Sequence, residues 1–99
     1  MTGSVDRPAD DDTAVVRLRR KALEWRAVDG EVFALDLESS VYLGANDSGA
    51  LLWEKLDSGT TVAELSRSLV DTYGIAPDVA DADVRAFLSA MAAHGLLTT

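Results

Sequence analysis

The chain contains no cysteine and a single histidine, His94. The first absence removes disulfide frameworks, thiolate metal sites and cysteine nucleophiles. The second leaves no pair of imidazoles, and a lone one does not hold zinc. Basic side chains are scarce, nine against seventeen acidic ones for a net charge of −8, a balance that repels nucleic-acid phosphates and anionic membrane surfaces. No window approaches the ~20 apolar residues of a membrane span, and Met1 to Ala14 lacks the apolar stretch of a secretory signal. A soluble, cytoplasmic protein is expected, with neither nucleic acid nor membrane among its partners. No Gly-rich phosphate loop is present. None of Ser39, Ser40, Ser48, Ser66, Ser68 and Ser89 stands in a nucleophile elbow. The many carboxylates fall on polar stretches of the kind that form solvated faces. Neither catalysis nor a cofactor nor a metal is expected.

What is present is a globular composition, 47% hydrophobic and 26% charged, far from that of disordered chains. Ninety-nine residues close one core and little more, since small domains bury only about 60% of their unfolded surface. Residues 1–15 read as a disordered acidic tail: they hold Gly3, Pro8 and the run Asp10, Asp11, Asp12. Residues 16–99 read as the single folded domain.

From Leu23 onward β-formers recur at short spacing. Asp29-Gly30 is a two-residue hairpin signal, because both central positions of the favoured turn need positive φ. It predicts strands over about Ala22 to Val28 and Glu31 to Leu37; in the second, Phe33, Leu35 and Leu37 make one greasy face. Glu38-Ser39-Ser40 is a polar turn, and Val41 to Ala45 reads as a third strand of an antiparallel meander. The period then becomes helical. Gly49, Leu52, Trp53 and Leu56 fall at i, i+3, i+4 and i+7, with Asn46 or Asp47 placed to cap the start and Gly59 to end the helix. Thr61 and Glu64 form a capping box ahead of Val62, Leu65, Leu69, Val70 and Tyr73, and Gly74 supplies a left-handed stop. Pro77 suits the first turn of a third helix with Val84, Phe87, Leu88 and Met91 on one stripe, closed by Gly95, after which Leu96 and Leu97 pack back. Three strands followed by three helices is an α+β order.

The run YLGANDSGALLWEKLDSGTTVAEL, Tyr42 to Leu65, followed by Tyr73-Gly74 and by DVRAFLSAMAAHGLL, Asp83 to Leu97, resembles the PqqD-like family, the RiPP recognition elements. The resemblance covers about Leu23 to Leu97. It is carried by the short strand ending in Asn46, the small-residue helix start with Gly49, the aromatic Trp53, the Gly59-Thr60-Thr61-Val62 entry and the closing Gly95-Leu96-Leu97. Within the family, FALDLESSVYLGAN, Phe33 to Asn46, is most similar to the stand-alone leader-binding subunits of lasso-peptide biosynthesis. The resemblance implies a winged helix-turn-helix with a three-stranded antiparallel sheet followed by three helices. It implies, too, that the leader segment of a precursor peptide binds by strand addition between the third strand and the third helix. A separate leader peptidase of the cysteine-protease type is the second partner it implies.

An exposed last strand makes such capture physically reasonable, since its unpaired N–H and C=O groups template an extended chain. The expected peptide-binding residues are Leu35, Val41, Tyr42, Leu43 and Gly44 on the sheet and Asp83, Val84, Arg85, Phe87, Leu88 and Met91 on the third helix. Val41 and Leu43 point to one side of their strand and Tyr42 to the other, and which side faces the groove stays open. The stripe Val84, Phe87, Leu88, Met91 also serves as ordinary core, Tyr42 equally so, and Asp83 and Arg85 are either solvated or paired with charges of the guest. Trp25 and Trp53 read as packing residues, each contributing on the order of 2–3 kcal/mol on burial. His94 reads as a helix-end residue. Arg17, Arg19, Arg20 and Lys21 form a basic cluster available for leader or peptidase docking or simply an ordinary surface. The alternative from another class is a winged helix-turn-helix transcription regulator. Its recognition helix would carry Asp78, Asp81 and Asp83 against Arg85 alone, the wrong sign for phosphate.

Overall fold

The computed structural model describes residues 12–98. Three strands form an antiparallel sheet in the order β2-β3-β4: β2 is Leu23–Val28, β3 Glu31–Asp36 and β4 Val41–Asn46, preceded by the two-residue β1, Arg17–Leu18. Asp29 and Gly30 adopt φ 51° and 78°, so the expected hairpin turn forms and Val28 closes on Glu31. A two-residue turn makes that closing pair the hydrogen-bonded kind, and bonded pairs alternate from there. Glu31, Phe33 and Leu35 therefore bond towards β2, and Val32, Ala34 and Asp36 towards β4. Through the register Val32↔Ala45, Ala34↔Leu43 and Asp36↔Val41, the backbone groups of Val41, Leu43 and Ala45 are used up inside the sheet. Those of Tyr42, Gly44 and Asn46 point to its rim.

The greasy face predicted on β3 forms, and it faces away from the helices. Val32 and Ala34 are buried against them, together with Leu23 on β2, while Phe33 is 52% and Leu37 51% exposed. Helix α1, Ser48–Ser58, starts so near β4 that a Cβ built on Gly49 would lie 3.3 Å from Ala45 Cβ and 3.5 Å from Phe87 Cε1. That spot admits only a small side chain, whereas Leu23, Trp25 and Leu43 fill the rest of the same helix-facing side.

Helix α1 differs from expectation at its start: Asp47 precedes it with φ 50° and ψ −120° and makes no side-chain capping bond. A capping side chain reaches back from extended backbone, which Asp47 does not have. Helix α2, Val62–Tyr73, starts as predicted. Thr61 is extended, and its side chain accepts from Glu64 N–H at 3.1 Å. The reciprocal half of the capping box is displaced, with Glu64 Oε1 accepting from Thr60 Oγ1 instead. Gly74 takes the left-handed conformation. Helix α3, Pro77–Ala93, opens on its proline and ends at His94 and Gly95, where Leu96 N–H donates back to Met91 O at 3.0 Å.

Strand β5, Leu97–Thr98, pairs antiparallel with β1, a second small sheet absent from the sequence-based expectation. Val16 and Thr60 form a further bridge, and Ala63 N–H donates to Asp12 O. The expected tail lies outside the described residues up to residue 11. Leu56, Leu65, Leu69 and Val84 lie at the centre of the core. Trp25 meets Trp53 edge-on at a 6.1 Å centroid separation, a favourable aromatic geometry.

Candidate binding groove

Among the described residues, strand β4 pairs with β3 on one side only. Beside it, between the sheet and α3, lies a cavity of about 200 Å³ lined by Leu43, Gly44, Ala45, Trp53, Phe87, Ala90, Met91, His94 and Leu96. Pleating explains this wall. Leu43 and Ala45 share the helix-facing side of the sheet with Val32 and Ala34, so β4 presents an apolar flank to the cavity and its spare backbone groups to the rim. Helix α3 supplies the opposite wall from Phe87, Ala90, Met91 and His94, spaced i, i+3, i+4 and i+7 along one stripe.

Of the residues expected to form the site, Leu43, Gly44, Phe87 and Met91 are brought together here. Val41 lies at the start of the same strand, 39% exposed. Tyr42, 81% exposed, and Leu35, its register partner, share the outer face of the sheet, which settles the face left open: Val41 and Leu43 point inward. Val84 is 0% exposed and is core. Leu88 is half-buried and packs against that core. Asp83 is exposed. Arg85 is exposed and engaged by Asp81 at 2.9 Å and Asp12 at 2.6 Å. Those two carboxylates, Asp81 foremost, hold its guanidinium still more firmly protonated than usual.

Sequence reasoning missed Ala45, Trp53, Ala90, His94 and Leu96. Ala90 and His94 were within reach of the pattern, three and seven positions after Phe87. Trp53 was assigned to the core, where it is 2% exposed, but it also forms part of the cavity wall. Its Nε1 is buried with no hydrogen-bond partner among the described residues.

The basic cluster serves the framework. Arg17 donates to Ser58 O and Arg20 to Asp57 O, satisfying carbonyls at the end of α1. Arg19 donates to Asp36 Oδ1 at 2.7 Å, and Glu38 N–H donates to the same oxygen. The Arg19 bond, followed by that of Glu38 N–H, holds the Asp36 carboxyl below its usual range, although burial opposes the shift. No described helix is long and apolar enough to cross a membrane.

The edge strand, apolar cavity and acidic third helix together define a small winged helix-turn-helix domain in which the sheet rim, and not a basic helix, borders the groove. The chain belongs to the PqqD family: the family model described as Coenzyme PQQ synthesis protein D (PqqD) matches residues 31–97. Among solved structures it is similar to TbiB1 in complex with the TbiA(beta) leader peptide, with 27% identity and a TM-score of 0.76 over 82% of this chain and 93% of that one. It is also similar to a lasso peptide synthetase B1 complexed with the leader peptide, with 25% identity and a TM-score of 0.74 over 85% and 98%. The PqqD truncation of Methylobacterium extorquens PqqCD, described as a functional and stand-alone RiPP recognition element, shares the fold at 22% identity and a TM-score of 0.70 over 93% and 98%. None of the curated proteins matches the chain.

Proposed function

We propose that this protein is a RiPP recognition element, a non-catalytic adaptor that binds the leader segment of a precursor peptide by strand addition to β4 and presents it to a separate leader peptidase of the cysteine-protease type. The observation that carries this reading is a strand rim with no second strand beside it among the described residues, next to an apolar cavity of peptide side-chain dimensions. The rim amides and carbonyls of Tyr42 and Gly44 supply affinity that is indifferent to sequence, and the cavity supplies selectivity for alternate side chains of the guest. Leu43, Phe87 and Met91 are its apolar contacts, with Val84 and Leu88 supporting them from the core. The binding domain is residues 16–99. A pathway of the lasso type is favoured by the two leader-peptide complexes among the similar structures. A cytoplasmic setting fits the cysteine-free composition.

Presentation needs a second surface. Every other side chain of an added strand would point outward, continuing the exposed apolar face of Phe33, Leu35 and Tyr42. An enzyme docking there would meet adaptor and leader at once.

Titration of the purified protein with a fluorescein-labelled synthetic leader, taken from the precursor encoded beside it, tests the reading against duplex DNA at the same moderate salt. Saturable micromolar or tighter leader binding is expected. Salt-sensitive DNA binding without leader affinity would instead support the regulator.

A further inference from the structure

We infer that Arg19 is a positioning residue for the leader groove: its guanidinium fastens the end of α3 to the end of β3 and so sets the separation of the groove's two walls. This inference rests on the proposed peptide-binding reading, and no part of Arg19 lines the cavity.

The geometry is that of a clasp. Arg19 Nη1 donates to Gly95 O at 2.9 Å, directly after the helix-end residue His94. Its own backbone N–H donates to Leu96 O at 2.7 Å, and Leu96 is part of the cavity wall. On the sheet side, Nη2 donates to Asp36 Oδ1 at 2.7 Å. Asp36 is the register partner of Val41, the first residue of β4. Glu38 Oε1, in the turn leading into β4, stands 3.4 Å from Nη1. Nε donates to Lys21 O and Nη2 also to Ala22 O, which holds the fork in one orientation. The Arg19 side chain is 19% exposed and that of Asp36 6%.

A planar fork with five fixed donors can make all these bonds together, whereas an ammonium of the same charge cannot. Loss of the fork frees the helix end from the start of β4, and a groove of single-side-chain width is sensitive to such a displacement.

Arg19→Lys and Arg19→Met test this, with Leu69→Ala, a core change on α2 away from the cavity, as the stability control. Each variant is titrated with the labelled leader well below its own melting temperature, and amide shifts are recorded on the free proteins by NMR. Both Arg19 variants are expected to bind about tenfold more weakly or worse, the scale of one bond left unmade. Leu69→Ala should keep wild-type affinity. In free Arg19→Lys the amides of Val41, Leu43 and Leu96 should move. Wild-type affinity in folded Arg19→Lys, an equal loss in Leu69→Ala, or unmoved amides would each overturn the inference. If Arg19→Met does not fold, Arg19→Lys carries the comparison. Failure of the wild-type protein to bind leader would defeat the peptide-binding reading instead, and the amide shifts would still decide whether Arg19 sets the walls.

Discussion

Replacing Gly44 by proline removes one outward amide from the rim and leaves the sheet intact. Position 44 bonds away from β3, since the ladder to β3 runs through Leu43 and Ala45, and proline is tolerated where its missing N–H faces solvent on an edge strand. There is room for the ring's Cβ, because one built on Gly44 meets nothing nearer than Val32 O at 3.8 Å. Leu43, as the residue before proline, is held to the extended backbone it already has. A guest carbonyl deprived of its donor inside a partly dry interface costs about 1–3 kcal/mol, which is roughly a 5- to 150-fold rise in Kd. Gly44→Ala adds the Cβ and keeps the N–H, so it should bind within a few-fold of wild type. Fluorescence anisotropy of a labelled leader gives both constants, and urea unfolding checks that both variants stay folded. Equal Kd values for folded Gly44→Pro and Gly44→Ala would refute strand addition at this position.

Acid should destabilise the fold through Asp36. Arg19 and Glu38 N–H hold its carboxyl below the ordinary value of 3.8, so the unfolded chain takes up the proton more readily than the folded one. The contribution of Asp36 is therefore present above the unfolded value and lost as pH falls through the folded value. Thermal melts from neutral to strongly acid pH should show Asp36→Asn less stable at neutral pH and less sensitive to acid than wild type, and parallel profiles would count against the clasp. Leu56→Ala empties a site that is 0% exposed and should cost about 2–5 kcal/mol. At roughly 4–8 °C per kcal/mol for a domain of this size, calorimetry should record a fall of at least about 8 °C. Tyr42→Ser and Phe33→Ser, on the outer face, should change stability by about 0.5 kcal/mol or less and leave leader affinity unchanged while slowing leader removal by the peptidase. Normal cleavage rates in both would exclude that face as the docking surface.

The elements legible in the sequence were those whose residues carry a local rule. Asp29-Gly30 dictated its turn, Thr61 its cap, Gly74 and Gly95 their stops, and the 3.6-residue stripes of α2 and α3 are long enough to be unambiguous. Strands of two residues such as Arg17–Leu18 and Leu97–Thr98 have no period to read and exist only because their partner is far away in the chain. Alternation on β3 was visible, yet both of its faces are apolar. The choice between Val32-Ala34 and Phe33-Leu35 depends on which side the helices cover, a tertiary fact. Arg19 looked like one member of a basic run for the same reason: Asp36 and Gly95, which give it a role, are neighbours only in the fold. Within the groove, Leu43, Gly44, Phe87 and Met91 were foreseen, whereas Trp53 and Leu96 reach it from the interior, where no surface pattern points.

The outward turn of the apolar face has a functional logic of its own. Leu23, Trp25, Val32 and Ala34 turn towards the helices, while Phe33, 52% exposed, and Tyr42, 81% exposed, stand on the opposite side largely in water. Leaving such residues exposed forgoes burial worth about 1.5–3 kcal/mol for a side chain the size of phenylalanine, and exposed apolar patches of this kind mark interaction surfaces. In the proposed function that sacrifice is recovered on assembly. Strand addition at β4 widens the same face by one strand, so a peptidase docking on Phe33 and Tyr42 would also touch outward side chains of the leader. Its affinity for the adaptor would then depend on leader occupancy, and by linkage the leader would bind more tightly to the adaptor–peptidase pair than to the adaptor alone.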